Sequence, residues 1–265
     1  MIFLKTEDEI ELLRQSNLLV GKTLAEVAKL IKPGVTTAEL DKVAEEFIRD
    51  NGAIPTFKGF PNQFGSPFPA TLCTSVNDQV VHGIPNDIPL REGDIVSVDC
   101  GTYMNGFCGD SAYTFCVGEV DPDIRNLLRV TKEALYLGIE NAVHGKRLGD
   151  IGYAVQQHCE GSSYGVVREF VGHGIGKEMH EEPQVPNYGR RGTGTLLKQG
   201  MCIAIEPMVT LGSRQIFMEQ DGWTVRTRDF KPAAHFEHTI AVRMGKADIL
   251  SSFEFVEEVL GDQAI

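Results

Sequence analysis

Four carboxylates and two histidines recur at matched places along this 265-residue chain. The run from Arg91 to Asp99 aligns without gaps on Lys198 to Glu206, so an apolar stretch ends once in Asp99 and once in Glu206. Asp110 opens a run that reaches Gly118, and Glu237 opens one of equal length that reaches Gly245. Upstream, Val80-Val81-His82-Gly83-Ile84 resembles Val171-Gly172-His173-Gly174-Ile175. A duplicated order of histidine, carboxylate, carboxylate suggests one site built where two halves meet.

Four acids aimed into one cavity repel unless they are protonated or neutralised. Two divalent cations balance them, and an added imidazole completes the ligand set of a dinuclear metal hydrolase, whose ions sit ~3.5–4 Å apart. Oxygen-rich ligation with one nitrogen suits Mn(II), Fe(II) and Co(II) as well as Zn(II). Calcium fits less well, because it takes oxygen ligands. Ordinary edge-strand acids facing water explain any one of these residues more readily than they explain two matched pairs. Other chemistries find little support. Gly172-His173-Gly174-Ile175-Gly176 lacks the spacing and βαβ setting of a dinucleotide loop, His180-Glu181-Glu182 is not H-E-x-x-H, and no G-x-S-x-G elbow is present. His144 and His158 fall on predicted helices and read as structural. His235 and His238 flank Glu237 on or near the opposite strand face and read as packing.

Strands must present these acids. Successive strand side chains face opposite sides of a sheet. Ile95, Ser97 and Asp99 therefore share one face, as do Cys202, Ala204 and Glu206, with Val96, Val98, Ile203 and Ile205 behind. Asp110 with Ala112 and Thr114, and Glu237 with Thr239 and Ala241, repeat the pattern. Small neighbours surround the acids and bulky residues back them, which makes a cavity on one side and a core on the other. Thr6 caps a predicted helix running to Pro33-Gly34, and Thr36 or Thr37 caps another to Asn51. Asn105-Gly106 reads as a hairpin turn. Helices from Asp121-Pro122 to about His144 and from Leu148 to about Glu160 follow, and then strands with a turn at Asp221-Gly222. Helix, helix, strands, performed twice, predicts an α+β fold with an antiparallel-rich sheet covered on one face. No linker separates the halves, so residues 1–265 read as a single domain of two pseudo-symmetric halves, about 1–118 and 119–265.

A net charge of −12 argues against a general nucleic-acid binder. No signal peptide or membrane-length apolar run is visible. Six cysteines without a Cys-x-x-Cys fit reduced thiols in a cytoplasmic protein.

The motifs Val81-His82-Gly83-Ile84-Pro85, Val98-Asp99-Cys100-Gly101, Gly109-Asp110-Ser111-Ala112, Met179-His180-Glu181-Glu182-Pro183, Ile205-Glu206-Pro207-Met208 and Phe236-Glu237-His238-Thr239 closely resemble those of type I methionine aminopeptidases, short members of the pita-bread metallopeptidases. The resemblance runs from the first helix to about Val242. It implies Asp99, Asp110, His173, Glu206 and Glu237 as ligands of two divalent ions (Mn, Fe, Co or Zn), with Asp110 and Glu237 bridging. It implies removal of the initiator methionine from nascent polypeptides by metal-assisted hydrolysis, with small second residues preferred. Glu206 would carry the proton, and His82 and His180 would stand beside the metals and contact substrate. Cys73, Phe57, Phe60, His82 and Trp223 would line the pocket for the first side chain, with Met179 near its edge. Phe57 and Phe60 stand where tyrosines are common, Met179 where phenylalanine is common, and the segment from Asn62 to Ala70 is longer than in the most compact members. The resemblance favours a monomer without membrane or specific nucleic-acid partners. Arg214, Arg226, Arg228 and Lys231 form a candidate basic patch for weak docking at a ribosome. Xaa-Pro aminopeptidases and prolidases share the ligand set but carry an added N-terminal domain, type II methionine aminopeptidases carry an insertion, and non-catalytic peptide-binding members lose ligands.

Overall fold

Two threonines start the chain's first two helices. Thr6 caps α1 (Glu7–Ala28) and Thr36 caps α2 (Thr37–Asp50), each hydroxyl accepting from the amide of a glutamate three residues on. Glu9 and Glu39 in turn accept from the cap amides, closing reciprocal boxes that satisfy donors a helix start otherwise leaves orphaned. The strands β1 (Ile54–Pro55), β2 (Leu72–Val76), β3 (Gln79–Val81), β4 (Ile95–Met104) and β5 (Phe107–Cys116) complete the first half. Asn105 and Gly106, at φ 55° and 86°, supply the left-handed two-residue turn that matches the twist of β4 and β5. The computed structural model describes residues 1–62 and 65–265, so Gln63 and Phe64 of the longer 62–70 segment lie outside the described residues.

Asp121 caps α3 (Pro122–Glu140), with proline at its favoured first position, and α4 (Leu148–Gly161) follows. The second half continues with β6 (Gly165–Val166), β7 (Gly172–Gly174), β8 (Glu181–Val185), β9 (Cys202–Ile205) and β10 (Met208–Thr210). Then come β11 (Ile216–Met218), β12 (Val225–Thr227), β13 (Ala233–His235), β14 (His238–Ala241), β15 (Asp248–Ile249) and the unforeseen helix α5 (Glu254–Leu260). His144 lies beyond α3, where its Nδ1 accepts from the Gln199 amide at 3.1 Å. Asp221-Gly222 turns between β11 and β12, an extra hairpin, and not between the two strands flanking the second pair of acids.

The architecture is α+β, and among the described residues every strand pairing is antiparallel, but hydrogen bonding divides the strands into four sheets, not one. In the first, β4 pairs with β1, β2 and β5; in the largest the order is β15-β14-β9-β7-β8. Smaller sheets join β13-β10-β6 and β11-β12-β3. One apolar cluster runs through both halves, taking Leu24, Leu40, Val98 and Tyr113 from the first and Leu128, Ile151, Ile203 and Ile240 from the second. Each such side chain contributes about 1.5–3 kcal/mol on burial, so the halves stabilise each other. Helix α1 crosses β5 closely enough that a Cβ on Gly109 would stand 2.6 Å from the Ser16 backbone. That approach seats Asn17, fully buried on α1, against Asp110.

Candidate active site

Strand register decides how the acids meet. Asp99 lies opposite Cys73 on β2 and Ala112 on β5, while Asp110 lies opposite Gly101, so the two aspartates are diagonal neighbours on one face of the β4–β5 hairpin. The second pair differs. Glu206 follows the end of β9 and Glu237 precedes β14, so neither sits inside a strand as the alternation had implied. The β9–β14 register matches Ile205 with His238, and its continuation sets Glu206 across from Glu237.

Hydroxyl groups tie the two pairs together. Thr239 Oγ1 donates to the Asp110 carbonyl at 2.9 Å, Ser111 Oγ donates to the Glu237 carbonyl at 2.7 Å, and the Glu237 amide donates to the Ala112 carbonyl at 2.9 Å. Asn17 Oδ1 accepts from the Asp110 amide at 3.0 Å while its Nδ2 donates to the Leu13 carbonyl. Thus each half holds the backbone of the other half's acid.

His173 enters on β7, its Nδ1 donating to the Gly174 carbonyl at 2.9 Å, which leaves Nε2 as the free lone pair. Nε2 stands 3.5 Å from Asp110 Oδ2 and 3.6 Å from Glu206 Oε1. A Cβ on Gly174 would lie 2.3 Å from the Glu182 carbonyl, so only glycine admits β8 this close. Asp110, His173 and Glu237 offer donor atoms all within 4.8 Å of one another, and so do Glu206, His235 and Glu237. His235 was read from the sequence as packing. Its ring is instead aimed into the site, with Nε2 3.7 Å from Glu206 Oε2 and 4.0 Å from Glu237 Oε2. The signal was available in the spacing, because residues 235 and 237 are two apart, the parity that shares a face in extended chain. His238, one residue out of phase, packs as expected, stacked on Phe253 and bonded to Ser251 Oγ at 2.7 Å.

Charge is costly here. Burial, then the Asp110 and Glu206 carboxylates, push Asp99 well above the ordinary aspartate value, and burial with Asp110, Glu206 and Asp99 does the same to Glu237. Burial also raises Asp110, against the pull of His173. Burial alone would depress His173, but Asp110 and Glu206 beside it carry its pKa upward. Asp99 Oδ1, Asp110 Oδ1 and Glu237 Oε1 are buried without a hydrogen-bond partner. Partnerless carboxylate oxygens around two imidazole nitrogens fit hard or borderline divalent cations, which supply the missing charge and the missing contacts.

Asp99, Asp110, His173, Glu206 and Glu237 line a cavity of about 180 Å³, and Phe57, Phe60, Phe68, Cys73, Phe170 and Trp223 give it apolar walls. His82 and His180 also line it. Burial lowers His82 to about 4, and burial with the neighbouring His173 lowers His180 too, although that ring opens to solvent at the rim. Both shifts favour the neutral imidazole. His82 stands edge-on to Phe170 at 5.4 Å and to Trp223 at 6.2 Å between ring centroids, and His180 to Phe60 at 5.2 Å. Met179 does not line the cavity. It is buried behind Phe57, where the absence of a Cβ on Gly101 makes room for both. Sequence reading missed Phe68, Phe170 and Met208. Phe68 comes from the longer 62–70 segment, stacks edge-on with Trp223 at 5.2 Å, and gives that segment a place in the pocket wall. Trp223 Nε1 further ties to the segment through the Ser66 carbonyl at 3.0 Å.

The metallopeptidase family M24 matches residues 11–244, and this chain belongs to it. Relatives at 41–50% identity over nearly the whole chain bear the name methionine aminopeptidase. One from Clostridium acetobutylicum is 50% identical over 255 residues, which cover 96% of this chain and 100% of that protein. The crystal structure of methionine aminopeptidase from Rickettsia prowazekii superposes with a TM-score of 0.92 at 41% identity, covering 95% of this chain and 100% of that one. An Xaa-Pro dipeptidase from Bacillus anthracis, at 21% identity and a TM-score of 0.73, shares the pita-bread fold, and this chain spans only 62% of its length.

Proposed function

We propose that this chain removes the N-terminal methionine of nascent polypeptides by metal-assisted hydrolysis of the first peptide bond, with small second residues preferred. The observation that carries the reading is that Asp99, Asp110, His173, Glu206 and Glu237 line the same cavity as the aromatic rings and Cys73. Two divalent ions (Mn, Fe, Co or Zn) would be held by those five residues. When bound, such ions lower the pKa of water and polarise a carbonyl. Glu206 accepts a proton from the attacking water at a carboxylate oxygen and returns it to the leaving amine. His82 and His180, whose pKa values are lowered by desolvation and, for His180, by His173 beside it, can each donate a hydrogen bond toward the developing oxyanion. Phe57, Phe60, Phe68, Trp223 and Cys73 exclude water from the first side chain and hold its thioether by sulfur–aromatic contact, worth ~0.3–1.5 kcal/mol.

The reading includes a single catalytic domain, since one apolar cluster spans both halves, and a monomer, as the family resemblance favours. Six free thiols fit a reducing, cytoplasmic setting. No helix among the described residues is long and apolar enough to cross a membrane. Ribosome docking through Arg214, Arg226, Arg228 and Lys231 has weaker support. Arg226 is held between Asp78 and Glu219, and Arg214 faces Glu169 at 3.8 Å. Hydrolysis of Met-Ala-Ser and Ala-Pro peptides, each with and without added Mn(II) or Co(II), tests the assignment. Metal-dependent release of methionine alone is expected; faster turnover of Ala-Pro would transfer the chain to the Xaa-Pro class.

A further inference from the structure

We propose that Lys5 and Glu181 form a positioning pair for His180, tying the start of the chain to the rim of the active site. Such a role for Lys5 rests on the function given above to His180. It brings in a residue that neither the duplicated motifs nor the cavity wall contains.

The His180 ring does not fix its own aim. It lies exposed at the rim, and among the described residues it meets Phe60 at 5.2 Å and His173 at 4.3 Å between centroids but makes no hydrogen bond. Its direction is therefore set by the backbone between β7 and β8 that carries it. Glu181 gathers that backbone. One carboxylate oxygen, Oε1, accepts from the Lys177 amide at 3.0 Å and more weakly from the Glu178 amide at 3.4 Å. The other, Oε2, accepts from the Lys5 ammonium.

The ion pair is enclosed. The Lys5 and Glu181 side chains are only 6% and 8% exposed, so each charge is costly without the other. Lys5 is itself anchored, because its amide donates to the Gly200 carbonyl at 2.7 Å, immediately before the Thr6 cap of α1. Gly176 makes room for the pair: a Cβ there would meet Glu181 Oε1 and stand 2.8 Å from Lys5 Nζ. The Cys108 amide on β5 donates to the Gly176 carbonyl at 2.8 Å. One end of the turn is thus bonded to β5, and the other, next to His180, is held by a charge from the start of the chain. A buried ion pair adds little stability over an apolar pair of the same size, so the placement of His180 is the effect to which its presence points.

A double-mutant cycle on the Mn(II)-loaded full chain tests this. Lys5→Met should lower kcat for Met-Ala-Ser by about tenfold, the scale of a small misplacement of a group that meets the transition state. In a His180→Ala background the same substitution should change kcat by less than about twofold, because the ring it positions is gone. Lys5→Met may be too unstable to fold, so the cycle is repeated with Lys5→Met/Glu181→Gln, which leaves no unpaired buried charge and keeps an acceptor for the two amides; the same non-additivity is expected. Carbon NMR of the histidine rings in the Zn(II)-loaded chain, with the His180 signal assigned from its loss in His180→Ala, should show that signal moved in the variants while the His82 signal stays. An equal loss of kcat with and without His180, or an unmoved His180 signal, would leave Lys5 and Glu181 structural only and overturn the proposal. Wild-type kcat in His180→Ala alone would remove the role of His180 and of the pair with it. If the wild type releases no methionine, the peptidase reading fails instead, and the His180 signal alone decides the placement.

Discussion

Glu206 is the side chain whose removal should separate binding from chemistry. It faces both imidazoles and lines the cavity, so it serves as ligand and proton carrier at once. Glu206→Gln should fold normally yet lose roughly two orders of magnitude or more in kcat, the typical contribution of a general acid–base group. Near-wild-type kcat in a metal-saturated variant would remove that role. The buried acids make a second, pH-dependent prediction. Burial and mutual repulsion raise Asp99 above 3.8 and Glu237 above 4.5 in the folded chain. In metal-free protein these groups stabilise the fold fully below their unfolded values, and that contribution is lost as pH rises through the raised ones. Divalent metal replaces the lost protons, so the gain in Tm on adding Mn(II) should be larger at about pH 8 than at about pH 5.5. An equal gain at both pH values, read by calorimetry, would contradict the proposed clustering. Trp223 belongs to the cavity wall and not to the acid cluster, so Trp223→Ala should raise KM more than it lowers kcat.

At the scale of elements, the site depends on hydroxyls that cross between halves. Ser111 and Thr239 each donate to the backbone carbonyl of an acid in the opposite half. Removing either donor leaves a buried carbonyl without that bond, at a cost of about 1–3 kcal/mol. Ser111→Ala and Thr239→Val should therefore lower Tm and weaken metal binding together, with the larger fall in the double variant. Restoration of metal affinity by Ser111→Thr would separate positioning from bulk stability. If Tm fell while metal affinity, measured by calorimetry, stayed at the wild-type level, these hydroxyls would be structural only. The element scale also explains the asymmetry of the duplicated pairs. Two residues join β4 to β5 and impose a diagonal placement of Asp99 and Asp110. A long excursion through β10 to β13 separates Glu206 from Glu237, which frees them to sit opposite each other.

Across the whole molecule, specificity is a property of a wall assembled from distant segments. Phe57, Phe60 and Phe68 come from one loop region, Cys73 from β2, Phe170 from the approach to β7, and Trp223 from the β11–β12 turn. Such a wall accepts an unbranched thioether and excludes charge. One methylene or branch in an apolar pocket is worth about 1–3 kcal/mol, so an N-terminal leucine should be a poor but measurable substrate. Lysine and aspartate at that position should be refused, and efficient release of either by the wild type would contradict the pocket assignment.

Much of this was legible in the chain itself. The cap at Thr6, the cap at Thr36 or Thr37 and the Asn105-Gly106 turn are local, because their partners lie within three residues or so, and the structure places the first at Thr6, the second at Thr36 and the turn where the pattern predicts. The duplicated acids were legible for a related reason: a repeat carries its own alignment. What the chain could not show is what no short-range pattern encodes. The division into four sheets, α5, the entry of Phe68 and Phe170 into the cavity wall and the seating of Met179 behind Phe57 all depend on contacts between segments far apart in sequence. His235 marks the boundary. Its parity with Glu237 was already in the sequence, but only the hydrogen bond of its amide to Thr114, more than a hundred residues upstream, turns that parity into a nitrogen aimed at two carboxylates.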